Sequence, residues 1–272
     1  MNILEKIIES TKIRVKSLNE KYNLKYFEES SMFRSPVVSL KHYVNRGDKN
    51  GIIAEFKRCS PSKGMLNAYA KVDETTLGYM RAACSALSIL TEPEFFKGSN
   101  ADLTLARKFN FCPILRKDFI IDPIQIYESR AIGADAILLI AKILSDEQIN
   151  ELKQCAMELG LEVLIEADEI GSIQKIDKTH PLIGINSRNL STMEIDLKKM
   201  VELRKEFSEN TTIIAESGIE TVEQVNYLRT QGFSGFLIGS AFMKFSEPGK
   251  ACYEFTKKLN SDFVAENSKT LV

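Results

Sequence analysis

Residues 52–64 read IIAEFKRCSPSKG, a β-branched apolar run that breaks into Glu55, Lys57 and Arg58 and then into a Ser-Pro-Ser-Lys-Gly turn. Strand side chains alternate between faces, so Glu55 and Lys57 share one face while Phe56 takes the other. An acid and a base therefore stand together at the rim of what is otherwise a core strand. As an exposed ion pair they would contribute little. Strand carboxyl ends are where α/β folds keep their sites, which makes the pair a candidate for function.

Outward from this stretch the chain settles into a rhythm. Short apolar runs recur at 51–57, 86–91, 112–117, 134–140, 162–167, 182–187, 212–217 and 235–240, with helical patterns between them such as Ser145 to Leu159 and Thr221 to Thr230. Strand alternating with helix implies parallel neighbours, since only these need so long a crossover. Eight such units close a (β/α)8 TIM barrel. An open doubly wound sheet is the alternative, and the missing G-x-G-x-x-G after the first strand speaks against it. The expected organisation is an N-terminal helical extension over 1–50, the barrel over 51–259, and a polar tail over 260–272 that frays. Within the extension, Leu4, Ile8, Val15 and Leu18 mark one face of an amphipathic helix over 3–18, expected to cover one end of the barrel. Residues 19–50 read as a linker with one short helix near Ser39 to Asn45.

Composition narrows the function. A chain of 272 residues with 44% apolar and 27% charged residues fits one soluble barrel rather than two small domains. The net charge of -1 is spread over scattered lysines and arginines, so neither nucleic acid nor an anionic membrane is an expected partner. Cys59, Cys84, Cys112, Cys155 and Cys252 form no C-x-x-C pair and read as reduced thiols of a cytoplasmic protein, most of them packing as small hydrophobes. His42 and His180 have no ligand cluster around them; each reads as a surface or loop histidine, and no metal or cofactor is expected. The start MNILEKIIES lacks an apolar signal core, and no run reaches membrane-spanning length.

The strand ends carry the chemistry. The third run, CPILRKD, ends in Arg116, Lys117 and Asp118; the fifth in Glu166; the sixth in Asn186, Ser187 and Arg188. The seventh ends in Glu216, Ser217 and Gly218, and the eighth in Gly239 and Ser240. Burying that many charges apart would cost several kcal/mol each, so they are expected to pair with one another and with a charged ligand. Loops after the seventh and eighth strands commonly bind phosphate, and the small residues there let an anion approach backbone N–H groups near helix starts. A lysine held by carboxylates can act as general acid and a desolvated carboxylate as base. A Schiff base on Lys57 or Lys117 stays open on these residues alone. Arg116, on the opposite strand face from Lys117, reads as structural.

The strings AEFKRCSPSKG, SILTEPEFFKGS, PILRKDFIIDPIQI, GADAILLI, LIEA, IGINSRNL, IIAESGI and FLIGSAF resemble, in order and spacing, the motifs of the indole-3-glycerol phosphate synthase family. The likeness runs from about Gly51 to Phe242, and other phosphate-binding barrels of tryptophan synthesis lack both the E-x-K-x-x-S-P-S opening and R-K-D-F. It implies a carboxy-lyase that closes the indole ring of 1-(2-carboxyphenylamino)-1-deoxyribulose 5-phosphate with loss of carbon dioxide and water. Carried over, Lys117 is the general acid, Glu166 the base, and Glu55 and Lys57 orient the ribulose hydroxyls and assist dehydration. Asn186 and Arg188 address the anthranilate part, with Arg188 held by Glu216 and Glu55 against the substrate carboxylate. Ser217, Gly218, Gly239 and Ser240 cradle the phosphate, and Phe96, Phe119, Leu138, Ile185 and Leu190 form a slot for the aromatic ring. Ser60 is expected in contact with substrate or, with Lys63, shaping the first loop. The first helix resembles the family's extra helix over the barrel mouth. Cys59 inside the opening motif and a short fifth helix are the departures. No fused isomerase domain is expected after the eighth unit, and a monomer is the expected assembly.

Overall fold

The computed structural model describes residues 2–269. Eight parallel strands close a ring: β1 (Ile52–Phe56), β2 (Ala86–Leu90), β3 (Ile114–Lys117), β4 (Ala136–Ile140), β5 (Glu162–Ala167), β6 (Leu182–Asn186), β7 (Thr212–Glu216) and β8 (Gly235–Ile238). Each strand pairs with the next, and β1 closes on β8 with Ile52 opposite Phe236. The open sheet is thereby excluded.

Every strand is buried on both faces, and its alternation sorts the apolar residues into two shells. Ile53, Leu115, Leu138, Leu164, Ile214 and Leu237 fill the interior. Phe56, Leu87, Ile137, Ile165, Ile183 and Phe236 face the surrounding helices. Polar side chains enter the interior mainly at the carboxyl ends, which puts the chemistry at one mouth of the cylinder.

The 50 residues before the barrel close both of its ends. Helix α1 (Ile3–Lys21) starts at a capping box in which Asn2 and Glu5 satisfy each other's backbone N–H groups. Its inward residues are Leu4, Ile7, Thr11 and Val15. Ile7 takes the place expected for Ile8, because the stripe steps by three and four residues from Leu4; Ile8 and Leu18 are half-buried at its edge. Leu4 and Ile7 pack into the same cluster as Phe119, Leu138 and Ile140 at the mouth. Arg14 donates to Asp118, just past β3, at 2.8 Å.

The segment read as a linker holds two short helices rather than one, α2 (Leu24–Glu28) and α3 (Leu40–Val44). Helix α2 sets Phe27 against Val15 and Ile124. Helix α3 plugs the opposite end of the barrel: Leu40 and Val44 join the interior cluster, and the carboxylate of Glu162, the first residue of β5, accepts from Ser39 Oγ at 2.5 Å and from the Lys41 amide at 2.9 Å. The helix lies where one was expected, near Ser39 to Asn45, but nothing local in the sequence places it in the barrel. The final helix, Pro248–Lys269, continues through most of the segment expected as a polar tail, and residues 270–272 lie outside the described residues.

Three of the five cysteines are buried, and all are free thiols. His42 is exposed, but His180 is a buried loop residue whose Nε2 meets the Val163 carbonyl at 2.8 Å; burial lowers its pKa. His42 is thus a surface histidine and His180 a loop one, both within the expectation, although His180 is buried. Among the described residues no helix is long and apolar enough to cross a membrane.

Candidate active site

A cavity of about 1050 Å³, counted out to its open mouth, lies at the carboxyl ends of the strands. The placements follow from strand alternation: Glu55, Lys117, Glu166, Asn186 and Glu216 all occupy inward positions at or near the end of their strands, so their side chains converge from five strands.

Lys117 is the centre of the charge cluster. Its Nζ lies 2.9 Å from Glu166 Oε2 and also contacts Glu216 Oε2. Burial pulls the ammonium pKa down, but the carboxylates of Glu166, Glu216 and Glu55 outweigh it, and the pKa ends above its usual value. Burial likewise works against the charged form of Glu166; Lys117 beside it overcomes that and holds the carboxyl below the usual range. Glu216 goes the other way. Burial, reinforced by repulsion from Glu166 and only partly offset by Lys117, pushes its pKa up to about 8. One ammonium between two buried carboxylates leaves the second the harder to ionise, and the upward shift falls on Glu216. Its Oε1 has no hydrogen-bond partner.

Around this centre, Asn186 Nδ2 donates to Glu166 Oε1 at 3.1 Å, and Asn186 Oδ1 accepts the Arg188 amide at 2.9 Å. Glu55 and Lys57 form their own pair at 2.5 Å, as expected from their shared face. The expected grip of Glu216 and Glu55 on Arg188 is absent. Both carboxylates are taken by lysines, and the guanidinium donates to the Met193 carbonyl at 2.9 Å with no ion pair among the described residues. Burial lowers the Arg188 pKa, as expected of a cation without a counter-charge.

Phe96, Phe119, Leu138 and Leu190 line the cavity, with the two phenylalanine rings 6.1 Å apart between centroids. Ile185 does not. It is fully buried in the outer shell between sheet and helices, because its neighbour Asn186 takes the inward position. Ile140 and Leu237 are the further apolar strand residues that line the cavity. Ile140, two residues beyond Leu138, was findable by alternation. Met193 and Ile195 in the loop after β6 had no signal of that kind.

Ser217, Gly218, Gly239 and Ser240 meet at the other end of the cavity. Ser217 and Gly218 are both left-handed, with φ of 66° and 70°; Ser187 Oγ donates to the Ser217 carbonyl at 3.0 Å and helps hold that turn. At Gly239 a Cβ would stand 2.5 Å from Glu55 Oε1 and 2.9 Å from Glu55 Cβ, so a side chain there would displace Glu55. A helix begins at Ser240 but is one turn long, and the helix after Gly218 starts only at Val222, so helix dipoles contribute less than the sequence suggests. Ser60 lines the same end, and its Oγ accepts the Lys63 amide at 3.2 Å. Lys63, read as a turn residue, also reaches Glu220 at 2.9 Å across the mouth.

The sequence pattern that defines the indole-3-glycerol phosphate synthase family matches residues 4–255. The chain belongs to that family. A relative from Bacteroides thetaiotaomicron bearing the family's name is 41% identical over 258 residues, covering 95% of this chain and 99% of the relative. Another, from Polynucleobacter asymbioticus, is 40% identical over 263 residues, with 93% and 98% covered. Among solved structures the likeness extends to the fold alone. A 3-hexulose-6-phosphate synthase from Salmonella typhimurium superposes with a TM-score of 0.61 at 11% identity, and a tryptophan synthase α-subunit from Pyrococcus furiosus with 0.59 at 17%. Each covers 78% of this chain and 99% of the other. The match extends across α1 and all the strand ends.

Proposed function

We propose that this chain is an indole-3-glycerol phosphate synthase, converting 1-(2-carboxyphenylamino)-1-deoxyribulose 5-phosphate to indole-3-glycerol phosphate, carbon dioxide and water in tryptophan biosynthesis, as a cytoplasmic enzyme. The observation that carries the residue assignment is the triad of Lys117, Glu166 and Glu216 at the floor of a cavity with an apolar slot on one side and a small-residue cradle on the other.

The substrate has three parts of different chemistry, and the cavity has a place for each. The ring lies against the cavity wall formed by Phe96 and Phe119, with Leu138 and Leu190 completing it. The phosphate sits at Ser217, Gly218, Gly239 and Ser240. Arg188 meets the anthranilate carboxylate, which supplies the counter-charge that the guanidinium lacks.

Ring closure forms a bond between the carboxylate-bearing ring carbon and the ribulose carbonyl carbon. Negative charge grows on the carbonyl oxygen, and Lys117, kept protonated by its carboxylates, donates a proton to it. Carbon dioxide leaves as aromaticity returns. Loss of the new hydroxyl as water needs a proton delivered to it and one removed nearby. Glu166, held ionised, is the base, and Lys57 with Glu55 orients the hydroxyls and assists departure.

Schiff-base chemistry at Lys117 is disfavoured, because a nucleophilic amine must be neutral and this one is held charged. Borohydride with a ketose phosphate should therefore trap no lysine adduct. The direct test is incubation with the synthetic carboxyphenylamino substrate, followed by indole fluorescence. Absence of fluorescent product from the folded chain would overturn the reading.

A further inference from the structure

The loop after β2 is organised by a carboxylate that no step above uses. Glu92 is buried, with 2% of its surface exposed, and it accepts three consecutive backbone N–H groups. Its Oε1 takes the Glu94 amide at 3.0 Å, and its Oε2 takes the amides of Phe95 at 2.7 Å and Phe96 at 3.0 Å. Pro93 has no N–H, so the carboxylate collects every amide the turn offers up to Phe96. No cation pairs with Glu92 among the described residues. A buried carboxylate is costly unless its lone pairs are filled, and here only the loop's own backbone fills them.

The far side of the loop is fixed as well. The Gly98 amide donates to the Glu92 carbonyl at 2.9 Å, and a Cβ at position 98 would stand 2.2 Å from the Leu90 carbonyl oxygen. Between these two anchors the chain projects Phe96, whose ring lines the cavity against Phe119.

We propose that Glu92 is a positioning residue for the aromatic half of the substrate: by gathering the amides of residues 94–96 it sets the place of the Phe96 ring and hence the width of the slot. The inference rests on reading the cavity as the ring-closing site and adds a determinant of ring recognition to it. Glu92 itself touches neither the cavity nor the reacting atoms. The sugar phosphate, bound at the opposite end, is indifferent to it.

The test uses the full chain and Glu92→Ala, Glu92→Gln, Phe96→Ala and the two double variants. Steady-state turnover of the carboxyphenylamino substrate is measured beside binding of ribulose 5-phosphate, which has no ring. Glu92→Ala is expected to raise KM about tenfold with kcat within about twofold, a loss of binding felt equally in ground and transition states. Its affinity for ribulose 5-phosphate stays at the wild-type value. Glu92→Gln, which keeps one acceptor oxygen, recovers most of the KM. In the Phe96→Ala background neither Glu92 change has a further effect, because the ring it places is gone. Equal losses for both ligands, additive effects in the double variants, or an unchanged KM would each overturn the proposal. Should Glu92→Ala not fold, the Gln variant in both backgrounds decides the same question. Wild-type turnover with indifferent Glu92 variants sinks this inference alone, whereas a silent wild type sinks the reading beneath it.

Discussion

On β3 two cations stand side by side and face opposite ways, and their surroundings differ in kind. Arg116 points outward into a cluster in which every group is satisfied. Its guanidinium donates to Thr91, Ser129, Asn100, Asp118, Glu128 and the Gln125 carbonyl. Asp118 in turn takes Arg14, Thr91 and the Phe119 amide. Burial raises the Asp118 pKa, but Arg116 and Arg14 outweigh it and hold the carboxyl below its usual range. Lys117 points inward to a cluster left incomplete, where burial wins at Glu216 and one of its oxygens has no partner. A complete network of buried charge fixes one structure, while an incomplete one keeps a proton and a binding position available.

The contrast predicts opposite failures for adjacent residues. Lys117→Ala should lower turnover by about three to four orders of magnitude, in line with loss of a general acid, while the chain stays folded and still binds substrate. Turnover within tenfold of the wild type would break the distinction. Arg116→Met should do the reverse. It leaves Glu128 without its cation and Asp118 with Arg14 alone, at a cost of about 3–5 kcal/mol in urea unfolding. Near-wild-type stability with lost turnover would show the outer cluster to be part of the chemistry.

Glu216 sharpens the comparison through pH. Its folded pKa lies above its ordinary value, so the folded state binds the extra proton; that contribution is complete below about pH 4.5 and is lost as pH rises through about 8. Lys117 is shifted upward from a value already near 10.5 and Glu166 downward from 4.5, so neither titrates inside this window. Glu216→Gln should therefore flatten the fall in stability between about pH 5 and 8, measured by urea midpoints. An unchanged slope would mean that Glu216 is ionised and the inner cluster complete. Two smaller effects concern binding. Arg188→Lys should raise KM about tenfold by losing bidentate contact with the substrate carboxylate. Ser240→Ala should raise it about threefold, the size of one hydrogen bond to phosphate. Effects on kcat alone in either variant would move that residue from binding to chemistry.

The inner and outer clusters were unequally legible. That Arg116 and Lys117 face apart follows from the period of two, and so does the pairing of Glu55 with Lys57. The same rule places Ile185 in the outer shell once Asn186 points inward, and it places Ile140 on the cavity wall beside Leu138. Which carboxylate meets which cation was another matter. Glu216 was expected on Arg188 and stands on Lys117, because the approach of strand ends across a barrel depends on stagger that no local pattern records. The short helix near Ser39 to Asn45 was legible, but its packing of Leu40 and Val44 into the barrel interior was hidden for a similar reason.

What the sequence determined by itself was the alternation of strand and helix, the closure count of eight, and the residue types at each strand end, all of which repeat along the chain and are read locally. Only the tertiary structure decided the partners: Glu216 with Lys117, Arg188 without a carboxylate, α3 in the barrel floor, and Glu92 beneath the Phe96 turn. Those contacts join positions far apart in sequence, and their energies depend on burial and on distances of a few ångströms, which exist only once the cylinder has closed.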